Sequence, residues 1–321
     1  MKILVADPIS QKGIDVLAAD PAVQVDVKLK QSEDELAGII GNYDALVVRS
    51  ETKVTKRVID NAHKLQVIGR AGVGVDNIDL DAAKANGIIV VNTPGGNTVA
   101  AAEHTFGMIL ALARNVPQAH HDLKDGNWNR SKYTGTELRS KVLGILGLGR
   151  IGKEVAKFAA AFGMKVLAYD PFLTKEAASS LTVKLVDFET VLKEADFLTV
   201  HMPLTPESRK LISAEQFALM KDGACVVNCA RGGIVCEEAL YQAIVAGKVK
   251  GAALDVFEKE PQVCSPLFAL DQVIVTPHLG ASTREAQINV AIEVCEDVIG
   301  ILLGHEPLNP VFKLQAEAKS A

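Results

Sequence analysis

Short runs of apolar residues alternate along most of this chain with longer stretches in which apolar positions recur every three or four residues. The short runs predict buried strands, and the longer spacing predicts amphipathic helices. Regular alternation of the two predicts an α/β protein in which helices connect parallel strands. The predicted strands fall into two sets. The first set comprises Ile3–Ala6, Val23–Val27, Ala45–Val48, Gln66–Gly69 and Ile88–Val91. The second set starts at Val142 and continues through Val166–Tyr169, Phe197–Val200, Ala224–Val227, Ala252–Leu254 and Val273–Val275.

Three of the helical stretches add information about the order of the chain. Ser32–Ile40 begins with a capping Ser and has Glu35 three residues later, which predicts a capping box. The stretch from Val99 to about Leu123 predicts one long helix between the two sets of strands, and Thr283 to about Leu303 predicts another. Because no strand follows this last helix apart from Val311-Phe312, we expect it to return to the first set of strands.

The strand that starts at Val142 ends in Gly147-Leu-Gly149-Arg150-Ile151-Gly152, which has the spacing G-x-G-x-x-G. A helical stretch from Lys153 to Phe162 and a second apolar strand follow, and that strand closes on Asp170. In a dinucleotide-binding unit the glycines allow a tight turn and bring pyrophosphate to the start of the helix, while the acid accepts a hydrogen bond from the ribose 2′-hydroxyl. An acid at Asp170 also repels a 2′-phosphate, so the pattern predicts NAD rather than NADP.

The place of this pattern in the middle of the chain predicts an insertion. We expect residues 97–283 to form the nucleotide-binding domain, and residues 1–96 together with 284–321 to form a discontinuous substrate domain. A chain of 321 residues is long enough for two such cores. The predicted fold class is α/β, with two doubly wound parallel-sheet domains of the Rossmann or flavodoxin type, the nucleotide-binding domain being inserted into the other.

Composition argues against several classes of protein. A net charge of −5 argues against nucleic acid or an anionic membrane surface as a partner. Five cysteines with no C-x-x-C pair predict neither a metal site nor a disulfide framework, and they fit a reducing cytoplasm. No apolar run approaches the roughly 18 residues of a membrane span, and the chain begins with a strand-like run rather than a signal peptide. We therefore expect a cytoplasmic protein that binds a small molecule.

Three polar residues at predicted strand ends match what hydride transfer from a hydroxyl-bearing carbon requires. Arg231 precedes two glycines, and its guanidinium fork suits a carboxylate. His278 has the acid/base chemistry to take the hydroxyl proton. Glu260 follows a third strand end, and a carboxylate beside an imidazole fixes its tautomer. Each residue alone also fits an ordinary role, as a surface arginine, a capping histidine or a solvated glutamate.

The first half of the chain has basic residues at two predicted strand ends, Arg49 and Arg70. The loop Gly72-Val-Gly74 that follows lacks the third glycine and the later acid of a nucleotide site, but its N–H groups suit a small acid. Either arginine also fits an exposed ion pair. We interpret Trp128 and the His120-His121 pair as packing or subunit contacts, not as catalytic or metal-binding residues.

Six blocks of sequence, taken together, resemble a known family. They are Val48-Arg-Ser50 with Thr52-Lys-Val-Thr55, Arg70–Asp79, Asn92-Thr-Pro-Gly-Gly-Asn97, Gly147–Gly152, Asn228-Cys-Ala-Arg-Gly-Gly233 and Thr276-Pro-His-Leu-Gly-Ala281. With their surroundings they resemble the D-isomer-specific 2-hydroxyacid dehydrogenases over nearly the whole chain. The last three blocks are specific for that family, and the first three point to its branch that acts on 3-phosphoglycerate.

The resemblance implies a role for each matching residue. Arg231 resembles the cation that binds the substrate carboxylate, His278 the acid/base, and Glu260 its partner. The residues that the resemblance places around NAD are Val73, Gly147, Gly149, Arg150, Ile151, Gly152, Asp170, Met202, Cys229, Ala230, Arg231, Asp255, His278, Leu279, Gly280 and Ala281. The residues that it places around the substrate are Arg49, Arg70, Val73, Gly74, Asn97, Arg231 and His278, with Arg49 and Arg70 on the substrate phosphate.

The implied reaction is the NAD-dependent oxidation of 3-phospho-D-glycerate to 3-phosphohydroxypyruvate, the first step of L-serine biosynthesis, by a homodimer or homotetramer. Two other interpretations stay open: a glyoxylate or hydroxypyruvate reductase or other D-2-hydroxyacid dehydrogenase, and an NAD(H)-sensing protein like the corepressors that share this fold. The chain departs from the family at Cys236, where an acid is common, and at Met202, where a small polar residue is common. It stops soon after Phe312, so we expect no serine-sensing regulatory domain.

Overall fold

The computed structural model of the protein describes residues 1–174, 183–262 and 264–313. The chain divides into two compact units, one formed by Met1–Asn97 with the segment that begins at Ser282, and the other by Thr98–Ala281. The second unit therefore interrupts the first in sequence. Each unit is built on its own parallel sheet, which confirms the predicted α/β fold class.

The strands of the described ranges, in chain order, are β1 (Lys2–Val5), β2 (Gln24–Val27), β3 (Ala45–Val48), β4 (Val67–Arg70), β5 (Ile89–Asn92), β6 (Val142–Leu146), β7 (Lys165–Tyr169), β8 (Lys184–Leu185), β9 (Phe197–Val200), β10 (Ala224–Asn228), β11 (Val249–Leu254) and β12 (Val273–Val275). The helices are α1 (Gln11–Ala18), α2 (Glu33–Ile39), α3 (Lys56–Asp60), α4 (Leu80–Ala85), α5 (Thr98–Arg114), α6 (Val116–Lys124), α7 (Arg150–Ala161), α8 (Phe188–Glu194), α9 (Ala214–Leu219), α10 (Glu237–Val245) and α11 (Arg284–Leu302). Short 3-10 helices lie at Ile40–Asn42, Arg130–Tyr133 and Pro266–Ala269.

The first unit holds a five-stranded parallel sheet in the order β2-β1-β3-β4-β5. Apolar side chains of helices cover both faces of this sheet, so that β3 is buried at all four of its positions. Ser32 and Glu35 form the predicted capping box of α2, and Thr283 caps α11 by accepting the Ala286 N–H at 3.1 Å. Helix α11 packs on α1 and β4, so the last helix belongs to the first sheet, as its lack of a following strand predicted.

The second unit holds a seven-stranded sheet in the order β12-β11-β10-β9-β6-β7-β8, in which every strand pair is parallel. The chain runs from β6 to one edge at β8 and then from β9 to the other edge at β12. The order therefore reverses between β6 and β9, and ligands of open α/β sheets bind beyond the carboxyl ends of the strands at such a reversal. The loops that follow β6, β10, β11 and β12 at this edge carry the glycine loop, Arg231, Glu260 and His278.

One predicted helix is wrong. The stretch from Val99 to Leu123 is not a single helix, because α5 ends at Arg114 and α6 begins at Val116. Asn115 between them has a left-handed backbone with φ of 54°, which asparagine tolerates better than most residues. Pro117 then lies in the first turn of α6, where a missing N–H costs little. The chain therefore turns at Asn115 instead of continuing as one helix.

Other features also differ from the expected ones. Helix α7 begins at Arg150 rather than Lys153, so it starts inside the glycine loop. The two residues of β8 are too few to show a period in the sequence, and this edge strand was not predicted. After α11 the chain forms an isolated antiparallel bridge between Val91 and Pro310 in place of a strand. Within the described ranges, no helix has the length and apolar character that crossing a membrane would require.

Candidate active site

The glycine loop between β6 and α7 is tightly packed at two of its glycines and open at the third. Gly147 has φ of 92°, and a methyl group on it would lie 2.5 Å from the His201 carbonyl oxygen. A methyl group on Gly152 would lie 2.3 Å from the Gly147 carbonyl oxygen. A methyl group on Gly149 would meet nothing within 4 Å. The loop therefore has its open space above Gly149, at the start of α7.

The start of α7 fits the pyrophosphate of a dinucleotide. Gly149 is the N-cap residue, so no side chain accepts a hydrogen bond from the first turn. The N–H groups that begin with Arg150 and Ile151 are left for a ligand, and the positive end of the helix dipole favours phosphate there. Open space and a helix start without a side-chain cap thus coincide at Gly149.

Asp170 lies directly beyond β7, beside the glycine loop. Its Oδ2 accepts the Leu148 N–H at 2.8 Å, and its Oδ1 accepts the Phe172 N–H at 2.9 Å. Because β7 is paired with β6, these bonds hold the carboxylate against the loop that fits the phosphates. Each carboxylate oxygen keeps a further lone pair, and ribose hydroxyls need such acceptors.

The structure brings His278 and Glu260 into direct contact. The Nδ1 atom of His278 lies 2.6 Å from Glu260 Oε2, and the other oxygen of Glu260 accepts the Phe257 N–H at 3.0 Å. Both side chains are partly exposed. Since Nδ1 is bound to a carboxylate, Nε2 is the ring nitrogen that can exchange a proton with a substrate.

Two opposing effects act on the Glu260 carboxyl. Burial raises the pKa of Glu260, but hydrogen bonds from His278 and from the Phe257 N–H lower it. The charges of His278 and Arg231 lower it further, and the pKa ends below its usual value. The carboxylate is therefore ionised at neutral pH and favours a hydrogen on Nδ1, which leaves Nε2 as the ring nitrogen for proton exchange.

Arg231 lies in the loop after β10, and its backbone is held from inside the sheet. The buried Asn228 side chain accepts the Ala230 N–H at 3.0 Å and donates to the Arg231 carbonyl oxygen at 2.9 Å. A methyl group on Gly232 would lie 1.7 Å from the Phe257 carbonyl oxygen, so the Arg231 loop packs directly on the loop that leads to Glu260. Arg231, Glu260 and His278 thus belong to one cluster.

A fully buried aspartate, Asp255, holds the loop that carries His278. Its carboxylate accepts the Thr276 hydroxyl at 2.5 Å and the N–H groups of Leu279 and Gly280 at 2.7 and 2.8 Å. The His278 N–H donates to the Asp255 carbonyl oxygen at 2.9 Å. Burial raises the pKa of Asp255, but the hydrogen bonds outweigh burial and leave the pKa below its usual value. Asp255 is thus an anion that fixes the backbone on both sides of His278.

His104 on α5 joins the same network. Its Nε2 lies 3.1 Å from the Thr276 hydroxyl oxygen and 3.3 Å from Asp255 Oδ1. Because Thr276 donates its single hydroxyl hydrogen to Asp255, its oxygen can only accept from His104. The Nε2 atom of His104 therefore carries a hydrogen, and α5 is tied through it to the His278 loop.

His201 lies beside the glycine loop, at the end of β9. Its Nε2 lies 3.1 Å from the Thr199 hydroxyl oxygen, and burial lowers the pKa of His201 to about 4. The imidazole is therefore neutral at physiological pH and adds no charge next to the loop. Its carbonyl oxygen packs against Gly147 and excludes a side chain from that position.

The first unit has a polar edge of its own at the carboxyl ends of β3 and β4. Arg49 follows β3, and Arg70 ends β4, where it is paired with Val48. The Arg49 N–H donates to Asp7 Oδ2 at 2.6 Å. The Arg70 guanidinium folds over Gly72, with its Nη1 1.7 Å from the place that a methyl group on Gly72 would take. Both arginines that the sequence assigned to a phosphate thus lie at one edge of one sheet.

The other substrate candidates of the first unit lie on adjacent loops. Val73 and Gly74 follow β4, and the Val73 carbonyl oxygen accepts a hydrogen bond from the Asn92 side chain at 2.6 Å. The side-chain oxygen of Asn97 is buried and has no hydrogen-bond partner within the described ranges. A buried acceptor without a donor is unfavourable, and a donor group of a ligand would relieve that cost.

Comparison with known proteins places this geometry in a family. Residues 106–280, inside the second unit, match the family described as D-isomer specific 2-hydroxyacid dehydrogenase, NAD binding domain. The chain belongs to the D-isomer specific 2-hydroxyacid dehydrogenases. The matched domain confirms NAD as the predicted cofactor, and it contains the glycine loop, Asp170 and the Arg231, Glu260 and His278 cluster.

Relatives of this dehydrogenase chain extend the likeness to both units. The chain is 54% identical over 312 residues to the D-3-phosphoglycerate dehydrogenase of Archaeoglobus fulgidus. This match covers 97% of the present chain and 59% of the Archaeoglobus protein. This chain thus spans less than two thirds of that relative's length. A Thermus thermophilus protein of known crystal structure is 36% identical with a TM-score of 0.90, covering 97% of this chain and 100% of its own. The D-lactate dehydrogenase of Aquifex aeolicus, solved with NAD and lactic acid, is 30% identical with a TM-score of 0.86. The match covers 97% of this chain and 99% of that one.

Several of the predicted cofactor residues of this family member make contacts inside the protein. Met202 packs against the hydrophobic core of the second unit. Burial raises the pKa of the Cys229 thiol to about 12, so it stays protonated. Asp255 is 0% exposed and uses both carboxylate oxygens in the hydrogen bonds above. Any effect of Asp255 on NAD is therefore exerted through the loop at Leu279 and Gly280.

Sequence reasoning missed His104, His201 and Asp7. Each lies outside a glycine-rich loop, and its importance comes from a partner far away in sequence. Asp7 directly follows an apolar strand, and a carboxylate at a strand end was the one signal that pointed to it. In the described part of the chain no group of three or more His, Cys, Asp or Glu side chains is placed to hold a metal ion.

Proposed function

We propose that this chain oxidises 3-phospho-D-glycerate to 3-phosphohydroxypyruvate with NAD, the first step of L-serine biosynthesis. The observation that carries the proposal is the 2.6 Å contact between His278 and Glu260 at the carboxyl edge of an NAD-binding sheet. The 54% identity to a D-3-phosphoglycerate dehydrogenase supports the choice of substrate.

In the proposed reaction His278 is the base. Its Nε2 takes the proton of the C2 hydroxyl while the hydrogen on C2 leaves as hydride, and the C2–O bond becomes a carbonyl. The Glu260 carboxylate stabilises the imidazolium that forms through its hydrogen bond to Nδ1. The bound nicotinamide supplies the hydride acceptor.

We assign the substrate carboxylate to Arg231, whose guanidinium fork holds it beside His278 and polarises the C2 oxygen. The bonds from Asn228 and the packing of Gly232 support this role because they fix the Arg231 backbone. The first unit supplies the remaining substrate contacts that we propose: Arg49 and Arg70 to the phosphate, and Val73, Gly74 and Asn97 to the rest of the molecule.

We assign NAD to the second unit, with its pyrophosphate on Gly149, Arg150 and Ile151 and its ribose on Asp170. The residues proposed for the nicotinamide end are Met202, Cys229, Ala230, Arg231, Asp255, His278, Leu279, Gly280 and Ala281. In this assignment residues 97–283 are the nucleotide-binding domain, and residues 1–96 with 284–321 are the substrate domain. The division of the structure at Asn97 and Ser282 supports it, although residues 314–321 lie outside the described ranges.

One assay tests the reaction and its alternatives. NADH formation is measured with 3-phosphoglycerate, glycerate, D-lactate and malate, and NADH consumption with glyoxylate and hydroxypyruvate. We expect the highest kcat/KM with 3-phosphoglycerate. Equal or higher activity on glycerate would remove the phosphate from the proposal and leave a general hydroxyacid dehydrogenase. NAD binding without turnover of any substrate would favour an NAD(H)-sensing protein instead.

Arg231→Ala tests the role of the carboxylate-binding cation. We expect kcat/KM to fall by roughly 3 kcal/mol of transition-state stabilisation. Arg231→Lys keeps the charge but loses the fork, so we expect an intermediate value. Arg114→Ala, at an exposed arginine in the last turn of α5, is the control and should keep wild-type kinetics. Wild-type turnover in Arg231→Ala would refute the assignment.

We also propose that the protein is a cytoplasmic homodimer or homotetramer joined through α6 and the segment after it. Helix α6 has no buried residue, and Val116, Leu123 and Trp128 are 53%, 53% and 76% exposed. Apolar side chains grouped in this way support a subunit contact. Light scattering of wild type and Trp128→Glu tests it, with a smaller particle expected for the variant. An unchanged particle size would point to another interface or a monomer, and cell fractionation checks the compartment.

A further inference from the structure

Helix α10 begins without a cap from its own sequence. Cys236 is its N-cap residue, and the thiol makes no hydrogen bond to the first turn. Ser, Thr, Asp or Asn at this position accepts such a bond and stabilises the helix. Cys236 is also one of the two positions at which the chain departs from the family pattern. The first turn of α10 therefore needs an acceptor from another element.

That acceptor comes from the loop that leads to Glu260. The N–H of Glu237, the first residue of α10, donates to Glu258 Oε1 at 3.1 Å. In return, the Glu258 N–H donates to Glu237 Oε1 at 2.5 Å. Glu237 and Glu258 thus exchange two backbone-to-carboxylate hydrogen bonds, and we call this pair the glutamate clasp.

The glutamate clasp places two carboxylates close together and needs compensation for their repulsion. Burial raises the pKa of Glu237, and the charges of Glu258 and Glu260 add to that effect. Lys210 is one source of compensation, since its Nζ lies 3.7 Å from Glu258 Oε2. The positive end of the α10 dipole is another, because it favours the Glu258 carboxylate at the helix start.

The clasp holds the short segment that carries Glu260. Phe257, next to Glu258, donates its N–H to Glu260 Oε1 at 3.0 Å, and its carbonyl oxygen packs against Gly232. Residues 257–260 are therefore held by the Arg231 loop on one side and by α10 on the other. Between these two supports Glu260 reaches His278 at 2.6 Å.

We propose that Glu258, through the glutamate clasp, is a positioning residue for the Glu260–His278 pair, and that α10 takes its cap from the catalytic loop rather than from its own N-cap residue. The kinetic consequence rests on the proposed function. Without the clasp the 257–260 segment loses its hydrogen bonds to α10, and the Glu260 carboxylate is held less firmly in line with Nδ1. Acid/base catalysis is sensitive to small misplacements of this kind.

Two substitutions separate positioning from helix stability. Glu258→Ala removes the clasp, whereas Cys236→Ser is nearly isosteric and gives α10 a cap of its own without adding charge. We expect Glu258→Ala to lower Tm and to lower kcat about tenfold. The double variant is expected to recover Tm but not kcat. Recovery of kcat together with Tm would overturn the proposal, because Glu258 would then act only on the stability of α10.

Two further variants complete the series. Glu258→Gln keeps an oxygen acceptor in the same place and is expected to retain most of kcat, so it also serves if Glu258→Ala does not fold. Glu238→Ala is the matched control, since this next residue of α10 bonds to Gln242 and not to the catalytic loop. It should keep wild-type kinetics. A loss of kcat in Glu258→Gln equal to that in Glu258→Ala would contradict the hydrogen-bond argument.

A spectroscopic signature tests the positioning without any turnover. The hydrogen between His278 Nδ1 and Glu260 is expected to give a downfield imidazole N–H resonance in proton NMR that Glu260→Gln removes. We expect it to shift or broaden in Glu258→Ala and to persist in Cys236→Ser. An unchanged resonance in Glu258→Ala refutes the positioning role. If the wild type oxidises no substrate while the resonance responds as expected, the proposed function fails and the positioning role stands.

Discussion

The two sheets have similar carboxyl edges, yet only one of them begins a helix inside its glycine loop. In the second unit α7 begins at Arg150 without a side-chain cap, next to the open space above Gly149. In the first unit α4 begins at Leu80, well beyond Gly72, and Asp79 caps it by accepting the Ala82 N–H at 2.9 Å. A capped and distant helix gives a ligand neither free N–H groups nor a dipole. Parallel strands alone therefore do not make a nucleotide site.

The two edges do share one arrangement, a buried aspartate beyond one strand that holds the loop after the neighbouring strand. Asp7, 2% exposed, accepts the N–H groups of Arg49 and Thr52 and the Thr52 hydroxyl. Asp255 binds the loop around His278 in the same way. In both units a candidate site residue at a strand end thus lies in a loop that is held by an acid from the adjacent strand.

The largest expected effect comes from removing His278, the proposed base at the edge of the second sheet. His278→Asn keeps a residue that tolerates the backbone φ of 55° but cannot take a proton. We expect kcat to fall on the order of 10³-fold on every hydroxyacid, with a much smaller change in NAD affinity because the proposed pyrophosphate and ribose contacts are kept. Steady-state kinetics and NADH fluorescence titration measure the two quantities. A kcat within a few-fold of wild type would mean that another group is the base.

A smaller effect is expected from filling the open space in the glycine loop of the second unit. Gly149→Ala has a backbone that alanine adopts freely and no neighbour within 4 Å, so the fold should be kept. Its methyl group takes the space that we assign to the pyrophosphate, and we expect NAD affinity to fall about a hundredfold. Gly38→Ala, equally unobstructed but in α2 of the first unit, is the control. Unchanged NAD affinity in Gly149→Ala would refute the phosphate position.

The buried aspartates test whether the two edges are held by equivalent arrangements. Asp255→Asn replaces one acceptor oxygen by an amide NH2 group, which faces donors of the His278 loop instead of accepting from them. We therefore expect a loss of about 2 kcal/mol in the free energy of unfolding. Asp7→Asn should cost a similar amount in the first unit. Urea unfolding followed by circular dichroism measures both. A loss in only one of the variants would show that the resemblance between the arrangements is geometric and not energetic.

The stability difference between wild type and Asp255→Asn should depend on pH with a definite sign. The folded-state pKa of Asp255 lies below its ordinary value of 3.8, so its contribution to stability is present above that pH. The contribution is lost as the pH falls through the folded-state pKa. The stability difference between wild type and Asp255→Asn should therefore be largest near neutral pH and shrink below pH 3.8. A difference that grows in acid would contradict the direction of the shift.

The smallest effect is expected at the first edge. Arg49→Ala removes one of the two cations that we propose for the substrate phosphate, so we expect KM for 3-phosphoglycerate to rise about tenfold. The kcat/KM for an unphosphorylated acid such as glycerate should stay unchanged, because Arg49 is not assigned to the reacting carbon. Kinetics on both substrates measure the contrast. Equal losses on both would mean that the first edge takes part in more than phosphate recognition.

Local patterns were sufficient where one stretch of chain contains all the needed groups. The loop Gly147–Gly152, with its flanking strand and Asp170, forms a unit from consecutive elements, and the second strand needs only to pair with the first. The capping box of α2 is local in the same sense. The break at Asn115 was missed because apolar spacing continues through it, although Pro117 was a local signal for a new helix start.

Periodicity and glycine spacing alone established the α/β class, the central dinucleotide loop, and strand ends bearing Arg231, Glu260 and His278, because these features depend on residues close in sequence. Tertiary structure was needed to show that Asp255 and His104 hold the His278 loop and that Glu258 caps α10, and it brings Glu260 to His278 as the family resemblance implied. These partners come from different strands and helices, and a sequence pattern does not specify which side chains meet when parallel strands align their ends. The choice of partner is made by the packing of the whole sheet.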